Sequence, residues 1–146
     1  MCCSFDFFFL FFTKMWADIK LHKSTLQICV NQNPPGDKEF KDFLKLWENL
    51  YQEINSTFVM AINFRDMDEI SPFQAMDFIG LFFRVLPKTK EFLSCTIVCL
   101  NDKLRDASDI FLKMYNPSRP YYVYFNHDEF NEAVKTHRRE LKKNPE

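Results

Sequence analysis

The 146 residues of this chain suit one domain with one hydrophobic core. The formal net charge of -1 creates no overall field that would draw the chain to nucleic acid. Only two glycines occur, Gly36 and Gly80, so the sequence lacks the glycine-rich loops that cradle phosphate groups. These totals argue against nucleic-acid binding and against nucleotide-dependent enzymes of the P-loop and dinucleotide classes, and no cofactor is predicted.

Residues 1–14 form a hydrophobic N-terminal extension with an apolar block from Phe7 to Phe12. No basic region precedes this block, and it is shorter than the ~20 apolar residues that a membrane-spanning helix needs. Three interpretations stay open: a disordered or mis-started extension before Met15, an extra strand or helix packed on the domain, or an anchor that makes peripheral contact with a membrane. The domain itself is predicted to span residues 15–146.

The domain opens with two short strands and a helix. Apolar and polar residues alternate over residues 17–30, which predicts a hairpin around Lys23. The loop at residues 31–36 contains two prolines and Gly36, and Asp37 is the predicted N-cap of the first helix. That helix has one apolar face made by Phe40, Phe43, Leu44, Trp47, Leu50, Tyr51 and Ile54.

The central stretch of the chain predicts a strand, a loop and a second helix. Residues 57–64 are almost continuously apolar, which is typical of a strand buried on both faces. An acidic loop follows at residues 65–70. Ser71 is a good N-cap, Pro72 suits the first helical position, and Gln74 completes a capping box.

The second half of the chain continues the alternation of strands and helices. Pro87 is predicted to end the second helix after Leu86. The next elements are strand 94–100 and a third helix begun by Asn101 or Asp102, in which Leu104, Ala107, Phe111, Met114 and Tyr115 form a helical stripe. Strand 121–125 and a helix begun by the capping box of Asn126 and Glu129 follow. The order β-β-α-β-α-β-α-β-α predicts an α/β domain with a mixed, mostly parallel sheet and an N-terminal antiparallel hairpin.

This order and the central stretch NFRDMDEISPFQ, from Asn63 to Gln74, resemble the STAS domain family of anti-sigma-factor antagonists and sulphate-transporter domains. The family motif reads roughly Asp-Leu-Ser-x-Val-x-Phe-Ile-Asp-Ser-Ser-Gly. The apolar rhythm matches at Phe64, Met67 and Ile70. The serine that is phosphorylated in the family falls on Phe73, so the resemblance implies the fold without the usual phosphoserine switch.

The resemblance implies a regulatory module that docks on an unidentified partner protein through the loop between the third strand and the second helix. The predicted interaction residues are Asp66, Asp68, Glu69, Ser71 and Phe73. The hydroxyl of Ser71 is explained more simply as an N-cap than as a regulatory site. The acidic loop lacks EF-hand spacing, so a solvated loop is favoured over a metal site. Such a module is predicted to be a monomer or a weak dimer.

The composition leaves one alternative function open. The five cysteines form no CxxC pair and indicate reduced thiols in a cytoplasmic protein. The three histidines occur in different elements, and no nucleophile motif is present, so the chain is not expected to be an enzyme. The 18 phenylalanines are an excess. Most should fill the core, with one or two of Phe73, Phe78, Phe82 and Phe83 facing outward. The alternative is a lipid-binding or other apolar-ligand protein that resembles the Sec14 or CRAL-TRIO type.

Overall fold

The computed structural model describes residues 9–13 and 16–143. These residues form one α/β domain with a mixed sheet of six strands, which confirms the α/β class and the mixed sheet, while a strand before the hairpin and a helix before the fifth strand are added to the predicted order. The strands lie side by side in chain order: β1 (Phe9–Thr13), β2 (Ala17–His22), β3 (Thr25–Val30), β4 (Phe58–Asn63), β5 (Leu93–Cys99) and β6 (Tyr121–Tyr124). The pairs from β1 to β3 are antiparallel, and the pairs from β3 to β6 are parallel.

The N-terminal extension contributes the strand β1 to this sheet. The backbone of β1 pairs with β2 from Phe9 opposite His22 to Thr13 opposite Asp18. Of the three interpretations of the extension, the packed strand agrees with this pairing. The disordered and membrane-anchor interpretations also depend on residues 1–8 and 14, which lie outside the described residues.

Five α-helices cover the described part of the sheet. They are α1 (Asp37–Gln52), α2 (Pro72–Arg84), α3 (Leu86–Phe92), α4 (Arg105–Met114) and α5 (His127–Lys143), and a short 3-10 turn, Asp102–Leu104, precedes α4. None of the helices among the described residues combines the length and the apolar character needed to cross a bilayer.

Two predicted helix boundaries are wrong. Pro87 does not end α2, because α2 ends at Arg84 and a new helix begins at Leu86 with Pro87 in its first turn. A proline is tolerated there because the first N–H groups of a helix have no intrahelical acceptor. Asp37 is not the N-cap of α1, since Gly36 occupies that position without a side-chain hydrogen bond. The Asp37 carboxylate accepts a hydrogen bond from Ser71 instead.

The two faces of the sheet carry separate hydrophobic clusters. Alternate residues of β4, such as Met60 and Ile62, pack with α1, α2 and α4. The residues of β4 that point to the opposite face, Val59 and Ala61, pack with β5 and with Phe130 and other residues of α5. Parallel strands added in one direction by right-handed crossovers place their connecting helices on the same face. The helix after the last strand is therefore free to cover the opposite face.

The abundant aromatic residues mainly fill the first of these clusters. Their rings make edge-to-face, tilted and stacked contacts that run from α1 through α2 to α4, with Trp47 contacting Phe78 and Phe82, and both of these contacting Phe111. Two phenylalanines of α2 face outward instead, Phe73 and Phe83, as the sequence predicted. The aromatic excess thus serves both the core and one part of the surface.

Candidate functional site

The loop between β4 and α2 is held in place by asparagines from three strand ends. The Asn63 side chain accepts a hydrogen bond from the Arg65 N–H at 3.0 Å. The Asn101 amide donates to the carbonyls of Arg65 and Met67 at 2.7 and 3.0 Å. The Asn33 side chain accepts from the Asp68 N–H at 2.7 Å. These bonds satisfy backbone groups that a free loop would leave to water, so the loop has a defined shape.

Asn33 and Asn101 hold this loop in place, and the sequence analysis did not connect them with it. The signal that could have found them is the asparagine at or just after the carboxyl end of each of β3, β4 and β5. Because the carboxyl ends of parallel strands share one edge of the sheet, asparagines at these ends come close together. Which backbone groups they bond depends on the loop path, and only the tertiary structure gives that path.

Ser71 begins α2 in the predicted capping box, which is confirmed. Its hydroxyl accepts from the Gln74 N–H at 3.1 Å, and the Gln74 side chain accepts from the Ser71 N–H at 2.9 Å. The same hydroxyl donates to the Asp37 carboxylate at 3.0 Å. A phosphate on Ser71 would face that carboxylate, and the like charges would repel. The hydroxyl is therefore committed to structure.

The other predicted interaction residues lie near Ser71 but differ in their side-chain contacts and in their exposure to solvent. Asp68 is 3.2 Å from the Asn101 amide and 3.7 Å from the Lys103 amine. Asp66 is exposed and is 3.7 Å from the guanidinium of Arg65. Glu69 and Phe73 are exposed, and the Phe73 side chain is 70% exposed. Asp68 and Ser71 thus shape the loop, while Glu69 and Phe73 are available to a partner.

An apolar cleft of about 380 Å³ opens beside this loop, between α2 and α4. The ends of β4 and β5 form its floor, with Ile62 and Val98 among the residues there. Pro72, Ala75, Met76 and Ile79 line one wall, at the spacing of one helix face. Ala107, Ile110, Phe111 and Met114 line the opposite wall. Such a position, outside the carboxyl ends of parallel strands, is where open α/β sheets bind ligands.

Exposed apolar side chains surround the mouth of this cleft. Met76 is 67% exposed on α2, and Ile110 and Met114 are each 57% exposed on α4. Phe73 lies one helical turn before Met76, and Phe83, which is 52% exposed, lies toward the other end of α2. The sequence analysis placed Met114 in the helical stripe of the third helix, and the structure leaves its side chain exposed. Met114 lies at the open side of the cleft between α2 and α4.

The cleft contains polar groups but no ionisable side chain suited to proton transfer at neutral pH. Among its described lining residues the polar side chains are Ser71, Ser108 and Tyr121. Burial, with a smaller contribution from nearby Tyr115, raises the pKa of Tyr121 well above its usual range, so the phenol stays neutral. Neither a cation nor a carboxylate belongs to the described lining. The cleft is therefore suited to binding a neutral apolar group.

No metal site emerges from the acidic loop. The described residues contain no group of three or more histidine, cysteine, aspartate or glutamate side chains arranged to hold a metal ion. Asp66 and Asp68 lie beside the cations of Arg65 and Lys103, respectively.

Neither the models of known protein families nor the curated proteins compared with this sequence give a match.

Proposed function

We propose that this chain is a non-enzymatic, STAS-like interaction module that binds a partner protein at the start of α2 and in the cleft beside it. One observation carries the proposal. Among the described residues seven large apolar side chains are exposed, and five of them lie at the cleft or on the same helix wall. These five are Phe73, Met76, Phe83, Ile110 and Met114. Exposed apolar side chains that cluster in this way mark interaction sites, whereas scattered ones need no explanation.

The size of this apolar surface favours a protein over a small ligand. At 52 to 70% exposure, each of the five side chains contributes on the order of 100 Å² or slightly more, which amounts to roughly 600 Å². A standard protein interface buries about 800 Å² on each partner. A small molecule inside the cleft would cover its inner walls and leave Phe73 and Phe83 in water.

The described contacts suggest a role for each part of the site. A partner's apolar side chain fills the cleft, and Phe73 packs on the partner as an exposed aromatic anchor. The carboxylates of Asp66 and Glu69 lie at the rim, where charges mainly affect the association rate and the orientation of the partner. Asp68 and Ser71 keep the loop in shape. This division retains all five predicted interaction residues and gives two of them a structural task.

A neutral apolar small molecule is the second candidate occupant. The observation that favours it is the cleft volume of about 380 Å³, which is within the range of roughly 300 to 1,000 Å³ that ligand pockets have. The described lining has no lysine, arginine or histidine to pair with a carboxylate or phosphate head group. A fatty acid or a phospholipid is thus a poorer match than an uncharged apolar compound.

Site-specific photo-crosslinking in the cells that make the protein tests the proposal. A photoreactive phenylalanine derivative replaces Met76 or Ile110 at the cleft, and replaces Lys135 on the exposed side of α5 as a matched control. We expect the same partner protein to be crosslinked from both cleft positions and not from Lys135. Identical products from all three positions, or none from the cleft, would contradict the proposal.

Two variants then measure which part of the site the partner uses. Ala107→Trp fills the cleft, and Phe73→Ala removes the exposed ring. Each is expected to weaken binding of the crosslinked protein by about ten-fold or more, as interface hot spots do. Tyr122→Ala removes an exposed aromatic ring from β6 and should leave binding unchanged. Native mass spectrometry of the purified chain covers the second candidate: extra mass that Ala107→Trp abolishes would favour the small molecule.

A further inference from the structure

The charged side chains around the cleft leave an excess of unpaired acids. Most charges of the loop, the 3-10 turn, α2 and α4 are paired: Arg65 with Asp66, Lys103 with Asp68, Arg105 with Asp102, and Arg84 with Glu48. The charges of these segments that have no ion pair among the described residues are Glu69, Asp77, Asp106, Asp109 and Lys113. All but Lys113 are acidic, and Lys113 lies toward the far end of α4. The surroundings of the cleft are therefore negatively charged.

Three of these acids lie on different sides of the cleft mouth. Glu69 belongs to the loop at one end of the cleft. Asp77 follows Met76 on the outer side of α2, and Asp106 precedes Ile110 by one helical turn on α4. Met76 and Ile110 are exposed residues of the two walls. Acidic side chains thus border an apolar surface at its loop end and along both walls.

The lining of the cleft favours a helix over an extended segment as the part of the partner that enters it. An extended segment would need acceptors and donors for its own backbone groups, because unpaired backbone groups are costly when buried. The described lining has few polar side chains, and the Ser71 hydroxyl among them is already bonded to Gln74 and Asp37. A helix pairs its backbone groups internally, so only its side chains need to enter the cleft.

The length of the cleft walls fits two turns of such a helix. The lining residues run from Pro72 to Ile79 on α2 and from Ala107 to Met114 on α4. With a rise of 1.5 Å per residue, each wall is about 10 Å long. Apolar side chains at positions i, i+3 or i+4, and i+7 of a partner helix cover the same distance. One short apolar ridge on a partner helix therefore matches the cleft.

From this charge and shape we infer that the partner segment is a basic amphipathic helix, whose apolar ridge enters the cleft and carries lysine or arginine residues on both sides. The inference deepens the proposed function and rests on it, because it specifies the chemistry of the partner that binds there. The ridge packs on Met76 and Ile110. The flanking cations meet Glu69, Asp77 and Asp106. Exposed ion pairs add little affinity individually, so the acids mainly select the charge and the orientation of the helix.

Synthetic helices provide the probe for this inference. A set of peptides of about 18 residues carries one apolar ridge, made entirely of leucine, isoleucine, methionine or phenylalanine, with lysines on both sides. Matched peptides have glutamates in place of the lysines, and scrambled lysine peptides have the same composition without the ridge. Fluorescence anisotropy measures their binding to the intact chain at concentrations up to roughly 500 µM. We expect at least one lysine peptide to bind, and its glutamate and scrambled counterparts to bind at least about ten-fold more weakly.

Three variants of the chain show where the lysine peptide binds. Ala107→Trp fills the cleft and should weaken binding by about ten-fold or more. Asp77→Asn combined with Asp106→Asn should weaken binding about three- to ten-fold at low salt, and much less at high salt, which screens exposed charges. Glu91→Gln combined with Asp128→Asn is the matched control, because it removes two exposed acids from α3 and α5, away from the cleft, and should leave binding unchanged. Circular dichroism of every variant shows that the fold is retained.

Failure of this inference and failure of the proposed function give different results. Equal binding of lysine and glutamate peptides, equal binding of scrambled peptides, or no binding of any peptide would overturn the inference. Wild-type binding by the variant that lacks Asp77 and Asp106 would also overturn it. The proposed function would still stand in each case if a partner protein is crosslinked from Met76 and Ile110. A lysine peptide that binds in the cleft, with no partner crosslinked in cells, would instead contradict the proposed function alone.

Discussion

A buried pair of hydroxyl groups, Tyr51 on α1 and Thr89 on α3, joins the two helices. Their oxygens are 2.6 Å apart, and neither side chain is more than 3% exposed. The Thr89 hydroxyl also donates to the carbonyl of Val85 at 3.2 Å. A hydroxyl has only one hydrogen, so Thr89 donates to Val85 and accepts from Tyr51. The Tyr51 O–H is therefore the donor, and Thr89 is its described acceptor.

This assignment predicts that the two single substitutions differ in cost. Thr89→Val keeps the shape of the side chain but leaves the buried Tyr51 O–H without its acceptor, which costs about 1–3 kcal/mol. Tyr51→Phe removes the donor, while Thr89 keeps its bond to Val85, so only about 0.5–1.5 kcal/mol is lost. The double variant no longer contains an orphaned donor. Its loss should be clearly smaller than the sum of the two single losses.

Urea unfolding followed by tryptophan fluorescence measures these free energies. A loss of about 2 kcal/mol moves the midpoint by roughly 1 M urea, given typical slopes for a domain of this size. An unchanged slope for all three variants shows that they unfold from comparable states. The donor assignment is wrong if Tyr51→Phe is the more destabilising variant, or if the losses in the double variant simply add.

Three further predictions concern the site and the buried thiols. Asn101→Ala removes three hydrogen bonds to the loop at residues 65–71 and the cap of the 3-10 turn before α4. Hydrogen exchange should therefore become measurably faster for the amides of the loop and of that turn, with α1 and α5 unchanged. Ser71→Ala should lower the free energy of unfolding by about 1 kcal/mol. Ser71→Asp retains a capping oxygen, but its carboxylate repels the carboxylate of Asp37. Because salt screens this repulsion, high salt should raise the free energy of unfolding of Ser71→Asp relative to that of Ser71→Ala. Burial, with a smaller effect of Glu140, raises the pKa of Cys95 from 9.0 to about 11, so the native state keeps its proton when the unfolded state loses it. That contribution to stability is complete below pH 9 and is lost as the pH rises toward 11, and Cys95→Ala should make this decline less steep in pH-dependent urea titrations.

Elements that are specified by residues close together in the chain were predicted well. The capping box of Ser71 and Gln74 involves neighbours in the chain, so the residues that specify it are the residues that form it. The predicted ends of β4 lie close to the observed ones for the same reason, since the run of apolar residues marks the strand. The N-cap of α1 was assigned to Asp37 instead of Gly36 because an acidic residue suits both the cap and the first turn. Its carboxylate is instead used by Ser71, which is 34 residues away.

The sequence by itself determined the fold class, because hydrophobic periodicity and caps act within one or two turns of the chain. It also indicated that some phenylalanines of α2 face outward, since apolar residues encircle that helix. The tertiary structure alone decided that α2 and α4 leave a cleft between them over the ends of β4 and β5. The exposure of Ile110 and Met114 depends on the distance between two helices that lie apart in the chain. No local pattern encodes that distance, because it results from how the aromatic side chains between the helices pack.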